Sequence, residues 1–109
     1  MAVSGYRFMW LVVMFDLPVD TAKARRAYVQ FRKALLRDGF EKMQFSVYIR
    51  HSTSEENAAV HVQRTEMAVP DDGEVRILLV TDKQFERMRV FFGKRRRLPE
   101  KPPTQLAFF

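Results

Sequence analysis

The chain contains no cysteine among its 109 residues. Disulfide bridges and thiolate metal sites are therefore excluded, and the composition suits a reducing compartment. The longest apolar run covers residues 8 to 15, whereas a membrane-spanning helix needs about 20 apolar residues. No charged segment with a small-residue cleavage site, as in a secretion signal, precedes this run. These features predict a soluble, cytoplasmic protein with no membrane partner.

Glycine is also scarce, with four residues, and none of them belongs to a glycine-rich loop of the kind that cradles nucleotide phosphates. A nucleotide-dependent enzyme is therefore not indicated. His51 and His61 lack the spacing of a zinc motif, and a lone histidine is more often a surface or packing residue. Ser46 and Ser52 have no histidine partner that the sequence can place. Most familiar catalytic arrangements are thus missing.

What the chain has in excess is positive charge. It carries 19 Lys and Arg against 13 Asp and Glu, a formal net charge of +6, and its isoelectric point is near 10.1. Basic domains of this kind commonly bind phosphate backbones, although a solvated basic surface is the simpler alternative. The candidate nucleic-acid contacts are Lys23, Arg26, Lys33 and Arg37 in one wedge of a predicted helix, and Arg95, Arg96 and Arg97 near the C-terminus.

The first half of the chain predicts a strand followed by a helix. Residues 8 to 15 are apolar at odd and even positions alike, which is typical of a strand buried on both faces. Asp20 or Thr21 can cap a helix that continues to about Asp38, where Gly39 supplies the left-handed residue that ends it. The apolar stripe of this helix consists of Ala24, Tyr28, Phe31 and Leu35.

The middle and second half predict a strand pair, a helix and a further strand. Residues 40 to 50 have β character with a bend near Gln44. Thr53 and Glu56 have capping-box spacing, which predicts a helix over residues 54 to 69. The remaining predicted elements are a turn at 70 to 73, a strand at 75 to 80, a helical turn capped by Asp82 that runs to Met88, and a brief strand at 90 to 92 closed by Gly93.

This order of elements is that of an α+β, ferredoxin-like βαββαβ sandwich, predicted for residues 1 to 93. Residues 94 to 109 are predicted as a basic, proline-rich linker and an added C-terminal strand, at 106 to 108, that docks at a sheet edge. Two helices cover only one face of the sheet, so the apolar groups on the other face need another cover. A second copy, packed sheet against sheet about a twofold axis, is the economical solution, and we expect a homodimer.

Asp16 is the candidate catalytic and metal-binding residue, because it stands at the carboxyl end of the most apolar strand. The alternative interpretation is that Asp16 only begins a turn and accepts backbone N–H groups. In a homodimer, two Asp16 side chains near the twofold axis would need a cation or a proton between them. Mg²⁺ prefers such hard oxygen ligands, and it could support hydrolysis of a phosphodiester.

The chain resembles the CRISPR-associated endonuclease 2 family. The resemblance rests on Met14-Phe15-Asp16-Leu17-Pro18, on Tyr28-Val29-Gln30-Phe31-Arg32-Lys33, and on Gly39-Phe40 leading to Gln44-Phe45-Ser46-Val47-Tyr48. The stretch from Thr81 to Met88 further resembles the branch found beside type II effector nucleases. The resemblance implies a ferredoxin-like homodimer, a divalent metal at Asp16, and a position between integrase dimers that capture short DNA.

Three functions follow as hypotheses. The preferred one is a dimeric scaffold of CRISPR spacer acquisition that binds the integrase subunit and duplex DNA, or else single-stranded RNA. Its Asp16 pair can hold Mg²⁺, and either it cleaves RNA or DNA as an endonuclease or it serves mainly as a scaffold. The second is a stand-alone, metal-dependent endoribonuclease of toxin-like type. The third is a non-catalytic regulatory or RNA-recognition module, against which stands the lack of an aromatic-rich strand motif that stacks bases.

Overall fold

The structure is a computed structural model that describes residues 7 to 97 and residue 100. Among the residues described, no helix is both long enough and apolar enough to cross a membrane. The elements in chain order are β1 (Met9–Asp16), α1 (Ala22–Arg37), β2 (Glu41–Gln44), β3 (Val47–Ser52), α2 (Glu55–Ala68), β4 (Glu74–Thr81), α3 (Asp82–Glu86), β5 (Val90–Phe92) and β6 (Arg95–Arg97).

Strands β1 to β4 form one antiparallel sheet in the order β2-β3-β1-β4. The first strand lies in the interior of the sheet, and the strand pair β2–β3 and the strand β4 flank it on opposite sides. This is the split arrangement of the ferredoxin-like fold, and the predicted α+β class is confirmed. The predicted bend near Gln44 is the turn between β2 and β3, where Ser46 has a positive φ of 59°.

The odd-numbered side chains of β1 pack against the two long helices. Leu11 and Val13 are fully buried on this face, and they share one hydrophobic cluster with Phe31 and Leu35 of α1 and Ala58 of α2. The helix stripe predicted from 3.6-residue spacing is therefore the core face of α1.

The even-numbered side chains of β1 form a second, smaller cluster on the opposite face. Trp10 and Val12 are buried there together with Ile49 and Phe85. The Phe85 ring of α3 stacks on the Trp10 indole with centroids 4.1 Å apart, and the indole Nε1–H donates to Asp82 Oδ1 at 2.8 Å. The short helix α3 thus covers one end of the sheet face that α1 and α2 do not cover. Helix α3 does not cover Leu78 of β4, which pairs with Val12 of β1 and is 48% exposed.

Two of the predicted helix caps are wrong by one residue. Ser54, rather than Thr53, caps α2, because its side chain accepts the N–H of Asn57. Thr81, rather than Asp82, caps α3 through a reciprocal capping box with Gln84. In the second case Asp82 is instead the hydrogen-bond acceptor for the Trp10 indole.

The beginning of the predicted basic linker has a defined structure. Arg95–Arg97 forms the strand β6, which pairs antiparallel with β5 in a separate two-stranded sheet. Glycine at position 93, with φ of +67°, lies in the turn of this hairpin. The rest of the linker up to 103, apart from residue 100, and the C-terminal edge strand predicted at 106 to 108 lie outside the described residues. The division of the chain after residue 93 stays a prediction.

A polar cluster joins the end of α1 to α2 and β3. Asp38 Oδ2 accepts a 2.7 Å hydrogen bond from Nδ1 of the buried His61, and Arg64 donates to Asp38 Oδ1 at 2.8 Å. Arg50 donates to the Asp38 backbone carbonyl at 2.7 Å. Burial alone would raise the pKa of Asp38, but the hydrogen bonds and charges of Arg64 and His61 outweigh it and lower the pKa below its ordinary value. The cluster therefore favours the charged carboxylate in the folded protein.

Asp38→Asn should lower the free energy of unfolding at neutral pH by about 1–2 kcal/mol, because the charge-assisted hydrogen bonds are weakened. Since the folded-state pKa of Asp38 is depressed, its contribution is complete above the unfolded carboxyl pKa of about 4 and is lost as the pH falls below it. Urea unfolding of both proteins at neutral and acidic pH measures this difference. Glu66→Gln, at an exposed carboxylate of α2, is the control, and an equal loss in both variants would contradict the prediction.

Candidate active site

The candidate metal ligand Asp16 is the last residue of β1. Its neighbours Phe15 and Leu17 are both buried in the helix-side core, so the alternation of the strand places the Asp16 side chain on the opposite face. Asp16 is exposed. Among residues 7 to 97, its carboxylate takes part in none of the side-chain hydrogen bonds or ion pairs. It is an open anionic group at the rim of the second face.

The backbone that carries Asp16 is held on both sides by aromatic and apolar packing. The Phe15 ring meets the rings of Phe31, Tyr28 and Tyr48 at centroid distances of 5.1, 5.9 and 5.7 Å. Leu17, the residue after Asp16, is also buried. An exposed carboxylate between two anchored residues has little freedom in its backbone, which is what a positioned ligand requires.

Gly73 makes the closest backbone approach to this strand end. Its φ is +101°, and a Cβ at this position would lie 2.6 Å from Leu17 Cδ2 and 2.9 Å from the Asp16 carbonyl oxygen. Only glycine satisfies both the positive φ and the contact. The turn before β4, which the sequence predicts from Pro70 and Gly73, therefore also positions Asp16.

Strand β4 supplies the charged neighbours of Asp16. Glu74 is the cross-strand partner of Asp16, and Arg76 is the partner of Met14 two residues earlier. Glu74 and Arg76 are paired with each other at 3.4 Å, and both are well exposed. This surface therefore combines two carboxylates with one guanidinium, and all three side chains share the face that carries Trp10 and Val12.

The described residues of one copy do not build a complete metal site here. The residues described contain no group of three or more His, Cys, Asp or Glu side chains placed to hold a metal ion. Asp16 offers hard carboxylate oxygens of the kind that Mg²⁺ prefers, and Mg²⁺ is often held by only one or two protein carboxylates. The donor type fits the cation, and a second copy or a nucleic-acid phosphate could supply the further ligands that the described residues lack.

The predicted basic residues fall into two separate groups. The four on α1 are all exposed, and because the helix of 16 residues is about 24 Å long, only Lys23 lies near the strand end that carries Asp16. Arg37 lies at the far end, beside Asp38 and Arg64. Arg96 and Arg97 are exposed on the β5–β6 hairpin, and Arg95 belongs to the same strand.

The two histidines have structural environments. His61 belongs to the polar cluster of Asp38, and His51 is buried under the Trp10 and Phe8 rings at 5.0 and 5.4 Å. Burial lowers the pKa of His51, and the positive charge of Arg50 lowers it further, while Asp82, 4.0 Å from His51 Nε2, opposes the shift. Neither histidine faces Asp16 as a catalytic base.

The sequence did not predict the positions of two residues, Arg76 and Phe45. Arg76 could not be singled out, because its position depends on the register between β1 and β4, which no local pattern reveals. Phe45 falls within the predicted β segment of residues 40 to 50, whereas it lies in the β2–β3 turn and is 77% exposed. A signal was present in both cases: Arg76 interrupts an otherwise apolar strand, and Phe45 stands at the predicted bend.

Fold and site together define a class: small, basic, ferredoxin-like domains with an exposed aspartate at the end of the first strand. The family model described as CRISPR associated protein Cas2 matches residues 9 to 88. The chain belongs to this family, so the predicted resemblance is confirmed, and with it a place among proteins of CRISPR systems.

Curated relatives match over nearly the whole chain. The protein of Parvibaculum lavamentivorans is 56% identical over 101 residues, which are 93% of this chain and 100% of the relative. That of Flavobacterium psychrophilum is 46% identical over 98% of this chain and 93% of its own length. That of Paracidovorax avenae is 47% identical over 98% and 99%. Each is named a CRISPR-associated endoribonuclease Cas2.

Gly73→Ala should destabilise the protein by about 2 kcal/mol or more, because a Cβ would be forced into positive φ and into backbone contact at the Asp16–Leu17 junction. Gly93→Ala is the matched control: its φ is also positive, at +67°, but a Cβ there meets no atom within 4 Å. The melting temperatures of both variants are measured by thermal unfolding. The loss that Gly73→Ala shows beyond that of Gly93→Ala is the cost of the steric contact, apart from the conformational strain that both share. Equal losses in the two would contradict a special contact at Gly73.

Proposed function

We propose that this chain acts in CRISPR spacer acquisition as a homodimer that bridges integrase dimers and holds duplex DNA, and that a pair of Asp16 carboxylates binds Mg²⁺ for phosphodiester cleavage. The observation that carries the proposal is the exposed Asp16 side chain at the rim of an apolar sheet face that residues 7 to 97 cover only at one end. The link to integrase and to spacer acquisition comes from the family resemblance.

The incomplete cover of the sheet supports a second copy as partner. Leu78 is an exposed apolar side chain of the second face, on the edge strand β4, and the outer edge of β4 has no neighbour within the described sheet. The β5–β6 hairpin forms its own two-stranded sheet and presents Phe91 and Phe92 at 58% and 74% exposure. Such a hairpin is marginal alone, so a second copy that receives it would stabilise both elements.

In such a dimer, the position of Asp16 determines where a cation would bind. Because its carboxylate shares a face with the apolar surface, a twofold axis through that surface brings two carboxylates together, and each supplies oxygen ligands for one cation. Mg²⁺ held there would supply Lewis acidity at a scissile phosphate. The protein's own contribution is the fixed strand end, set by Phe15, Leu17 and Gly73, which holds each carboxylate at the cleavage position.

A second candidate function is a stand-alone endoribonuclease of toxin-like type. The relatives are all named endoribonucleases, and RNA cleavage at the same Asp16 pair needs no integrase. The two candidates share the metal centre and differ in the substrate and in the partner. The basic residues on α1 favour the first, because they extend away from Asp16 along a surface that suits a duplex.

Asp16→Asn should reduce Mg²⁺-dependent cleavage of single-stranded RNA and of DNA to the level seen with EDTA, because the amide cannot supply anionic oxygens to the cation. Labelled substrates resolved on denaturing gels measure the rates. Asp20→Asn, which removes an exposed carboxylate four residues along the chain, is the control and should cleave like the wild type. Equal rates for wild type and Asp16→Asn would exclude this centre.

Sedimentation of the same proteins tests the pairing without any cleavage assay. In metal-free buffer, Asp16→Asn should strengthen dimerisation, because the variant removes repulsion between like charges at the twofold axis. Added Mg²⁺ should strengthen dimerisation of the wild type and leave Asp16→Asn unchanged. A wild-type protein that sediments as a monomer at assay concentrations contradicts the dimer.

Lys33→Gln combined with Arg37→Gln should weaken duplex DNA binding and reduce its salt dependence, because each lost phosphate contact lowers the slope of log affinity against log salt by about 0.9. Two contacts per protomer correspond to a slope change of about 2 per protomer. Lys83→Gln combined with Arg87→Gln makes the same charge change at the same spacing, at exposed positions around α3. The α1 surface is not the DNA contact if both double variants behave alike.

A further inference from the structure

The side chains that β4 contributes to the second face change from charged to apolar along the strand. They belong to the residues that pair with even-numbered positions of β1, namely Glu74, Arg76, Leu78 and Val80. Paired residues of antiparallel strands share a face of the sheet. The charged side chains that β4 places on this face therefore lie at the end that meets Asp16.

Arg76 lies within reach of the Asp16 carboxylate. Glu74 is directly opposite Asp16, and Arg76 stands two residues further along β4, opposite Met14. Such diagonal neighbours are about 7–8 Å apart, a separation that long side chains can bridge. The Asp16 carboxylate takes part in none of the ion pairs among residues 7 to 97. A phosphate between the two side chains would meet the guanidinium on one side and a cation held by Asp16 on the other.

The Arg76 guanidinium is weakly held by its partner among the described residues. Its Nη2 lies 3.4 Å from Glu74 Oε1, whereas a charge-assisted hydrogen bond is typically about 2.7–2.9 Å long. The two side chains are 69% and 65% exposed, and an exposed ion pair of this kind contributes little to stability. A bound anion would therefore displace Glu74 from Arg76 at little cost.

We infer that Arg76 binds the phosphate that is cleaved at Asp16, through two N–H groups that donate to its non-bridging oxygens. This inference rests on the proposed cleavage at Asp16 and adds a substrate-binding residue to that site. A planar guanidinium matches two oxygens of one phosphate. It also supplies positive charge where the carboxylates of Asp16 and Glu74 would otherwise repel the phosphate. Because the contact is to the phosphate alone, it serves RNA and DNA alike.

The test is equilibrium binding of fluorescein-labelled single-stranded octamers of DNA and of RNA, followed by anisotropy in buffer with EDTA so that no strand is cut. Arg76→Gln should weaken binding of both octamers about 10- to 100-fold, as expected for the loss of a charge-assisted contact. The slope of log affinity against log salt should fall by about 0.7. Glu74→Gln, which removes the competing carboxylate, should strengthen binding. Arg87→Gln, at an exposed arginine that ends α3, is the control and should bind like the wild type.

A conservative variant separates a phosphate contact from an effect on the fold. Arg76→Lys keeps the positive charge and should recover most of the affinity that Arg76→Gln loses. Wild-type affinity in Arg76→Gln would overturn the inference, and so would an Arg76→Lys protein that binds as weakly as Arg76→Gln. A weaker dimer of Arg76→Gln in sedimentation would also overturn it, because the guanidinium would then belong to a carboxylate of the second copy.

Binding without metal separates this inference from the proposed function. If Asp16→Asn still cleaves in Mg²⁺ while adding Arg76→Gln to it weakens binding in EDTA, the phosphate contact stands and the catalytic centre does not. If Asp16→Asn abolishes cleavage while Arg76→Gln binds both octamers normally, the centre stands and Arg76 is not part of it.

Discussion

Burial of β1 on both faces is the constraint on which the rest of the structure depends. Its odd-numbered side chains need the helices α1 and α2, and its even-numbered side chains need a second cover on the opposite side of the sheet. Among the described residues that cover is the short helix α3, whose Phe85 stacks on Trp10. Because α3 reaches only the amino-terminal end of β1, the apolar surface continues toward Asp16. Asp16 therefore stands at the end of the strand where the cover supplied by the described residues is thinnest.

Elements with a strong local signal could be predicted from the sequence. The continuous apolar pattern of β1, the 3.6-residue stripe of α1 and the positive-φ glycines at 39 and 73 all depend on residues close together in the chain. Hydrophobic periodicity and turn chemistry act over the same short range, which is why these predictions agree with the structure. The order of elements then allowed few topologies besides the ferredoxin-like one.

The contacts that could not be predicted join residues far apart in the chain. The Trp10–Asp82 hydrogen bond spans 72 residues, and the His61–Asp38 bond spans 23. In both cases a side chain that looked like a cap or a lone histidine is the partner of a distant group, and only the register of the sheet brings them together. The same holds at the candidate site, since the neighbours of Asp16 come from β4 and from the turn that precedes it. Which residues surround a site therefore depends on the tertiary fold, even where the central residue can be recognised from the sequence.

The surroundings of Asp16 also bear on how cleavage and scaffolding could coexist in one protein. The basic side chains of α1 lie on the helix side of the sheet, whereas the Asp16 side chain lies on the face that carries Trp10 and Val12. These surfaces are on opposite faces of the sheet, so a duplex bound along α1 need not place a phosphate at Asp16. Under the proposed function, DNA held along α1 would stay uncut, and only a strand that reaches the Asp16 face would be cleaved. The geometry of the two surfaces, rather than a change in the catalytic group, would then separate the two activities.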